Sequence, residues 1–197
     1  MRRGTLIVLA GPSGVGKGSV VERLRSRDPE GLAVSISATT RRMRPGETDG
    51  VDYRFVDDAR FDRMVADGDL LEWAEVYRGR RYGTPRSFVA RTLAEGRDVV
   101  LEIDVQGAAQ IRSQAPEAVL ILLTPPSMEA LEERLRGRGT EDEASVAERL
   151  ATAERELEQQ GSFDHVVVND DVERAADEVA AIIDASPQVD GLPEATP

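Results

Sequence analysis

No cysteine occurs among the 197 residues, which removes disulfides, thiol nucleophiles and thiolate-bound zinc from the chemistry open to this chain. Histidine is nearly as scarce: His165 is the one copy, and a His-rich metal site is excluded with it. Long apolar runs are missing too. Thr5–Ala10 and Ala118–Leu123 are both too short for a signal-peptide core or a membrane span, so the expectation is a cytoplasmic protein without a membrane partner. Positive charge is in deficit, with 25 Lys and Arg against 37 Asp and Glu and a net charge of −12. Such a surface opposes non-specific binding to nucleic acid or anionic lipid. Any anion site must therefore be a local concentration of arginine and backbone N–H groups. At this length one domain is expected, able to bury about 70% of its unfolded surface without a covalent staple.

What is present reads as an α/β chain. Short aliphatic runs (Thr5–Ala10, Val99–Ile103, Ala118–Leu123 and His165–Val168) predict buried strands of a parallel sheet. Between them Lys17–Ser26, Val105–Ser113, Met128–Arg136 and Val172–Asp184 have helical periodicity, with Ser127 and Asp171 as N-caps. Val146, Leu150, Ala153 and Leu157 recur at helical steps, which predicts an amphipathic helix over Asp142–Gln159. Residues 34–96 differ: Val34–Ser37, Tyr53–Val56 and Leu70–Tyr77 read as strands joined by Arg/Pro/Gly/Asp-rich turns, with a hairpin-like turn at Gly79. The division expected is a core of residues 4–33, 97–135 and 163–185, a β-rich insert of about 34–96, a helical lid of about 136–160 and a disordered tail of 186–197.

Gly11-Pro12-Ser13-Gly14-Val15-Gly16-Lys17 follows a predicted buried strand and opens a helix, the context that G-x-x-x-x-G-K requires of a P-loop. Its backbone N–H groups and the helix N-terminus suit a polyphosphate, and Lys17 adds a mobile charge for the β- and γ-phosphates. A dinucleotide-binding turn is the competing use, but Gly14-x-Gly16-x-Gly18 has the wrong spacing for G-x-G-x-x-G. Gly18 stands where Ser or Thr normally offers Mg²⁺ a hydroxyl. Ser19 follows one place later, as in the Gly-Lys-Gly-Ser loops of adenylate kinases; it is read as a phosphate contact and a candidate metal contact. Glu102 and Asp104 close the second aliphatic run with acidic groups of the same strand parity, at the carboxyl edge of the sheet where such folds bind ligands.

Further motifs carry a resemblance. Ser37-Ala-Thr-Thr-Arg41-Arg-Met-Arg44-Pro-Gly-Glu, Asp49-Gly-Val-Asp-Tyr53, Leu71-Glu72-Trp73, Tyr82-Gly83-Thr84, Glu102-Ile-Asp104-Val-Gln-Gly107, Arg138-Gly-Thr-Glu141 and Val168-Asn169-Asp170 resemble the guanylate kinases, in family order from about Gly4 to Asp184. The resemblance implies a P-loop kinase core with a parallel sheet flanked by helices, a GMP-binding insert and a mobile lid. It assigns the GMP phosphate to Arg41, Arg44, Tyr53 and Tyr82. Forked guanidinium donors and tyrosine hydroxyls fit a dianion. It assigns the base to Glu72, whose carboxylate would accept from guanine N1–H and N2–H, with Ser37 and Thr84 on the other polar groups and Glu102 and Asp104 beside them. Asp104 would also approach Mg²⁺ through water. Arg134, Arg138 and Arg149 match the family's lid and phosphoryl-contacting arginines, and Asn169 its adenine contact. Trp73 reads as core.

The implied reaction is ATP-dependent phosphorylation of GMP, and of dGMP, with Mg²⁺. A phosphate acceptor with a second pKa of about 6 is already deprotonated at neutral pH and needs no general base. Positioning and charge stabilisation by Lys17, Mg²⁺ and the lid arginines carry the catalysis. The rivals are a P-loop kinase for AMP or a phosphorylated sugar, and a non-catalytic guanylate-kinase-like peptide-binding module. Oligomeric state is unread in the sequence.

Overall fold

The computed structural model describes residues 3–76, 79–137, 143–189 and 192. Five parallel strands form the core sheet: β1 (Leu6–Ala10), β2 (Leu32–Val34), β7 (Asp98–Glu102), β8 (Val119–Thr124) and β9 (His165–Val168), in the spatial order β2-β7-β1-β8-β9. β1 is central and every one of its residues is fully buried, so an uninterrupted Leu-Ile-Val-Leu-Ala run is what two covered faces require. On one face Ile7 and Leu9 meet Val20, Val21 and Leu24 of α1 (Lys17–Arg27) and Ala176, Val179 and Ile183 of α7 (Val172–Ala185). On the other, Leu6 and Val8 meet Val89 and Leu93 of α3 (Arg86–Ala94) and Ala108 and Ile111 of α4 (Val105–Gln114). Each such buried Leu, Ile or Val side chain contributes roughly 1.5–3 kcal/mol. β9 departs from the buried-strand expectation. It is an edge strand in which Val167 is buried while Val166 and Val168 are exposed, and an aliphatic run alone does not distinguish a covered face from an edge.

The insert forms a second sheet in the order β4-β3-β6-β5, made of β3 (Ala38–Thr39), β4 (Arg54–Phe55), β5 (Leu70–Glu75) and β6 (Arg81–Pro85). It is less β-rich than its turns suggest. α2 (Asp58–Ala66), capped by Asp57, packs Phe61 against Ala38 and Leu70, and α3 follows β6 directly. The strand predicted at Val34–Ser37 resolves into β2 of the core and β3 of the insert, and the chain changes sheets between them. α5 (Met128–Arg136) and α6 (Glu143–Leu157) share a small core of Leu131, Leu135, Val146 and Ala153, and a 3₁₀ turn (Glu158–Ser162) leads into β9. Ser127 and Asp171 cap α5 and α7, accepting from Ala130 N and Arg174 N.

The segment from Ser186, expected to be disordered, returns to the core. Val189 is buried and donates its N–H to Gly4 O at 3.1 Å, and Gln188 accepts from Arg3 N at 3.0 Å. Low bulk and three prolines hid one well-placed valine. Among the described residues no helix is long and apolar enough to cross a membrane.

Candidate active site

The loop after β1 is shaped by close backbone approaches. Gly11 lies at φ +143°, where a Cβ would stand 2.3 Å from Leu123 O. Gly16, at φ +101°, is the N-cap of α1 and would drive a Cβ to 2.4 Å from Asn169 Nδ2. No side chain caps α1 and its first turn holds no acid, so unsatisfied N–H groups and the positive end of the dipole face the loop. Lys17 Nζ donates to Gly11 O at 2.6 Å and to Pro12 O at 3.4 Å, which holds the ammonium over the loop. Ser13, Gly18 and Ser19 are exposed.

Two predicted residues turn out to hold the loop itself. Asn169, 1% exposed, donates from Nδ2 to Val15 O at 2.7 Å. Arg134 donates from Nη1 to the same carbonyl at 3.1 Å and from Nη2 to Asn169 O at 2.8 Å. The Arg134 fork and the Asn169 NH₂ group are thus engaged by backbone, while Asn169 Oδ1 is buried without a hydrogen-bond partner. Motif matching gives a residue's place in the chain and does not reveal which of its neighbours takes its donors. Arg149 is half-buried on α6. Arg138 and Glu141 lie outside the described residues.

In the insert sheet, Glu72 is 4% exposed on β5, and Thr84 Oγ1 of β6 donates to its Oε1 at 2.7 Å. Burial pushes the Glu72 carboxyl up to about 7, an effect that the Thr84 bond opposes and the charge of Asp104 adds to. Trp73, read as core, is the exposed neighbour at 39%. At this point of the strand the carboxylate faces inward and the indole outward, the reverse of what polarity alone predicts. Ser37 is half-buried just before β3, and its carbonyl accepts from Arg54 N at 2.9 Å.

Arg41 is 6% exposed, and its guanidinium lies 5.1 Å from the Tyr53 ring and 5.5 Å from the Phe55 ring. Tyr53 and Tyr82 meet edge to face at 5.9 Å. The Arg41 fork is taken by Glu47, at 3.0 Å from Nη1 and 2.6 Å from Nη2, and Arg44 N donates to the same carboxylate at 2.7 Å. The Arg41 hydrogen bond holds the Glu47 carboxyl below its ordinary range. Glu47 is a functional candidate the sequence reading left without a role; its signal was the acid closing the R-x-x-R turn. The Arg44 side chain is exposed beside it.

Glu102 and Asp104 do not share a strand face. Glu102 ends β7, while Asp104 is the N-cap of α4 and accepts from Gly107 N at 2.7 Å through Oδ1. Its Oδ2 is buried without a hydrogen-bond partner. Glu102 keeps surface in the cleft, its oxygens 3.7 Å from where a Gly18 Cβ would stand, and partial burial raises its carboxyl against the pull of Lys17. Glu156 of α6, also overlooked by motif, turns a buried and unpartnered Oε2 toward the same charges. Burial raises it, Lys17 lowers it and Asp104 raises it. Hard oxygen donors of this kind suit Mg²⁺. Among the described residues no three His, Asp or Glu side chains converge as a ready ligand group.

A family model described as guanylate kinase matches residues 3–186. The chain is 52% identical over 189 residues to the guanylate kinase of Rhodococcus jostii (strain RHA1), covering 95% of this chain and 91% of that protein. It is 55% identical over 180 residues to the guanylate kinase of Thermobifida fusca (strain YX), covering 91% of each. It is also similar to the solved structure of guanylate kinase from Anaplasma phagocytophilum, with a TM-score of 0.76 and 35% identity over 94% of this chain and 87% of that one.

Proposed function

The chain belongs to the guanylate kinase family, and from that premise we propose how its residues divide the work of phosphoryl transfer. It is a nucleoside monophosphate kinase that moves the γ-phosphoryl group of ATP onto GMP. The observation that carries the assignment of the base site is the buried Glu72 carboxylate held by Thr84. Guanine offers N1–H and N2–H as adjacent donors, whereas adenine has an acceptor at N1, so a buried acceptor-only group selects guanine. Ser37, Asp104 and Glu102 are assigned to the same base site, and dGMP is assigned as a further acceptor.

Arg41, oriented by Glu47, Arg44, Tyr53 and Tyr82 take the acceptor phosphate. The loop Gly11–Gly18, Ser19 and Lys17 take the ATP phosphates, with Asn169 and Arg134 keeping Val15 in place. Lys17, Arg149 and Arg138 supply positive charge as the phosphoryl group moves. Mg²⁺, when bound with ATP, would neutralise phosphate charge, and Asp104 through water and Glu102 are the residues that would hold it; Ser19 is the remaining hydroxyl candidate. A reducing, ATP-rich cytoplasm is the compartment proposed.

Glu72→Gln tests the base reading. It keeps shape but replaces an acceptor with an NH₂ donor, at a cost of roughly 3–5 kcal/mol, or about 10²–10⁴ in kcat/KM for GMP. Inosine monophosphate, which lacks the amino group, loses a smaller factor. Equal losses, or a GMP loss below about threefold, would reject Glu72 as the reader.

A further inference from the structure

β5, which carries Glu72, is the edge strand of the insert sheet, and an edge leaves backbone groups that need partners. They find them on the core helix α4. The Gln110 side-chain amide pairs with both backbone groups of Trp73: Nε2 donates to Trp73 O at 2.6 Å and Oε1 accepts from Trp73 N at 3.2 Å. One turn earlier, Gly107 leaves room for the carboxylate itself. A Cβ there would stand 2.5 Å from Glu72 Oε2 and 3.2 Å from its Cδ. One turn later, Gln114 Oε1 accepts from Arg86 Nη2 at 2.6 Å, and the same guanidinium donates through Nε to Gly68 O at 3.2 Å, just before β5. Positions 107, 110 and 114 follow the i, i+3, i+7 spacing that puts side chains on one helix face. That face runs along the strand from Glu72 through Trp73 to the chain that enters it.

The geometry points to Gln110, with Gly107, as a positioning residue for acceptor recognition: α4 sets the depth and direction of the Glu72 carboxylate by gripping the next peptide and leaving a notch for the oxygen. This rests on the reading of Glu72 as the guanine-reading group. The same helix starts at Asp104, so one rigid element carries Asp104 and fixes Glu72. A displacement of β5 along α4 would change the distance from Glu72 to the base while leaving the ATP loop alone.

Steady-state kinetics and calorimetric titration with GMP test this on the full chain in Gln110→Ala, Gln110→Met, Gly107→Ala and Glu72→Gln. Gln110→Met keeps the volume and removes both hydrogen bonds, so it separates positioning from packing; Gly107→Ala adds a methyl group where the carboxylate sits and favours the helix. In each of the three α4 variants KM and Kd for GMP are expected to rise about tenfold, with KM for ATP within about twofold and a smaller loss for inosine monophosphate. Unchanged GMP binding in all three, with Glu72→Gln still impaired, would overturn the role of α4 and leave the Glu72 reading standing. So would parallel rises for GMP and ATP accompanied by a lower Tm, the mark of a merely structural role. No effect of Glu72→Gln on GMP would overturn both.

Discussion

Glu72 is a single side chain on which selectivity and stability pull in opposite directions. Its carboxyl is raised to about 7 by burial, above the value it has in the unfolded chain. Between the ordinary carboxylate range and about pH 7 the folded state therefore holds a proton that the unfolded state has released. The stability linked to that proton is present at low pH and is lost as pH rises through the window, by on the order of 3 kcal/mol. The guanine reading proposed for Glu72 needs the opposite state, the carboxylate, to which Thr84 donates and which the charge of Asp104 opposes. Denaturant titrations between about pH 5 and pH 8 should show Glu72→Gln with a flatter pH dependence than the parent, while the parent's KM for GMP rises as pH falls below about 7. Identical slopes for both proteins would show that the buried carboxyl does not titrate in that window. Lys17 is simpler: Lys17→Ala removes the charge over the loop and is expected to lower kcat by at least about 10²-fold, measured at saturating ATP.

Among the elements, the P-loop is held from two sides, by the end of β9 through Asn169 and by α5 through Arg134, both donating to Val15 O. α5 and the end of β9 thus converge on one carbonyl of the loop. Asn169→Ala removes one buried donor from that carbonyl and should raise KM for ATP about tenfold with little change for GMP; an unchanged KM for ATP would show that Arg134 alone suffices. The loop itself was legible in the sequence because its glycines, the preceding aliphatic run and Lys17 are contiguous. So were α1, α4, α5 and α7, whose periodicity is local, as are the caps Ser127 and Asp171. α2 and α3 were not, since Arg- and Asp-rich segments near turn residues read as loop until Phe61 and Val89 find their partners. The same limit applied to the site. Glu72 and Arg41 stood out by pattern, but the grip of Gln110 on Trp73 spans 37 residues and that of Asn169 on Val15 spans 154, and no local spacing records either.

Over the whole molecule, a net charge of −12 must coexist with two polyanionic substrates. The conflict is resolved by confinement. In the proposed assignment Lys17, Arg41, Arg44 and the open N-terminus of α1 meet the substrate phosphates, whereas other arginines are committed elsewhere: Arg134 to the backbone of Val15 and Asn169, Arg23 and Arg27 to Glu173, Arg81 to Asp58 and Asp62, and Arg112 to Asp164. In the proposed division the core sheet supplies the ATP loop and the insert the base reader, and α4 packs against β1 of the one and β5 of the other. Coupled ADP release measured with Mg²⁺-ATP and each of GMP, dGMP, AMP, CMP and UMP tests guanine selection by this arrangement most directly. ADP formation is predicted with GMP and dGMP and to fall by at least about 10²-fold with the other three; comparable rates with AMP, or ADP release that needs no acceptor, would contradict it.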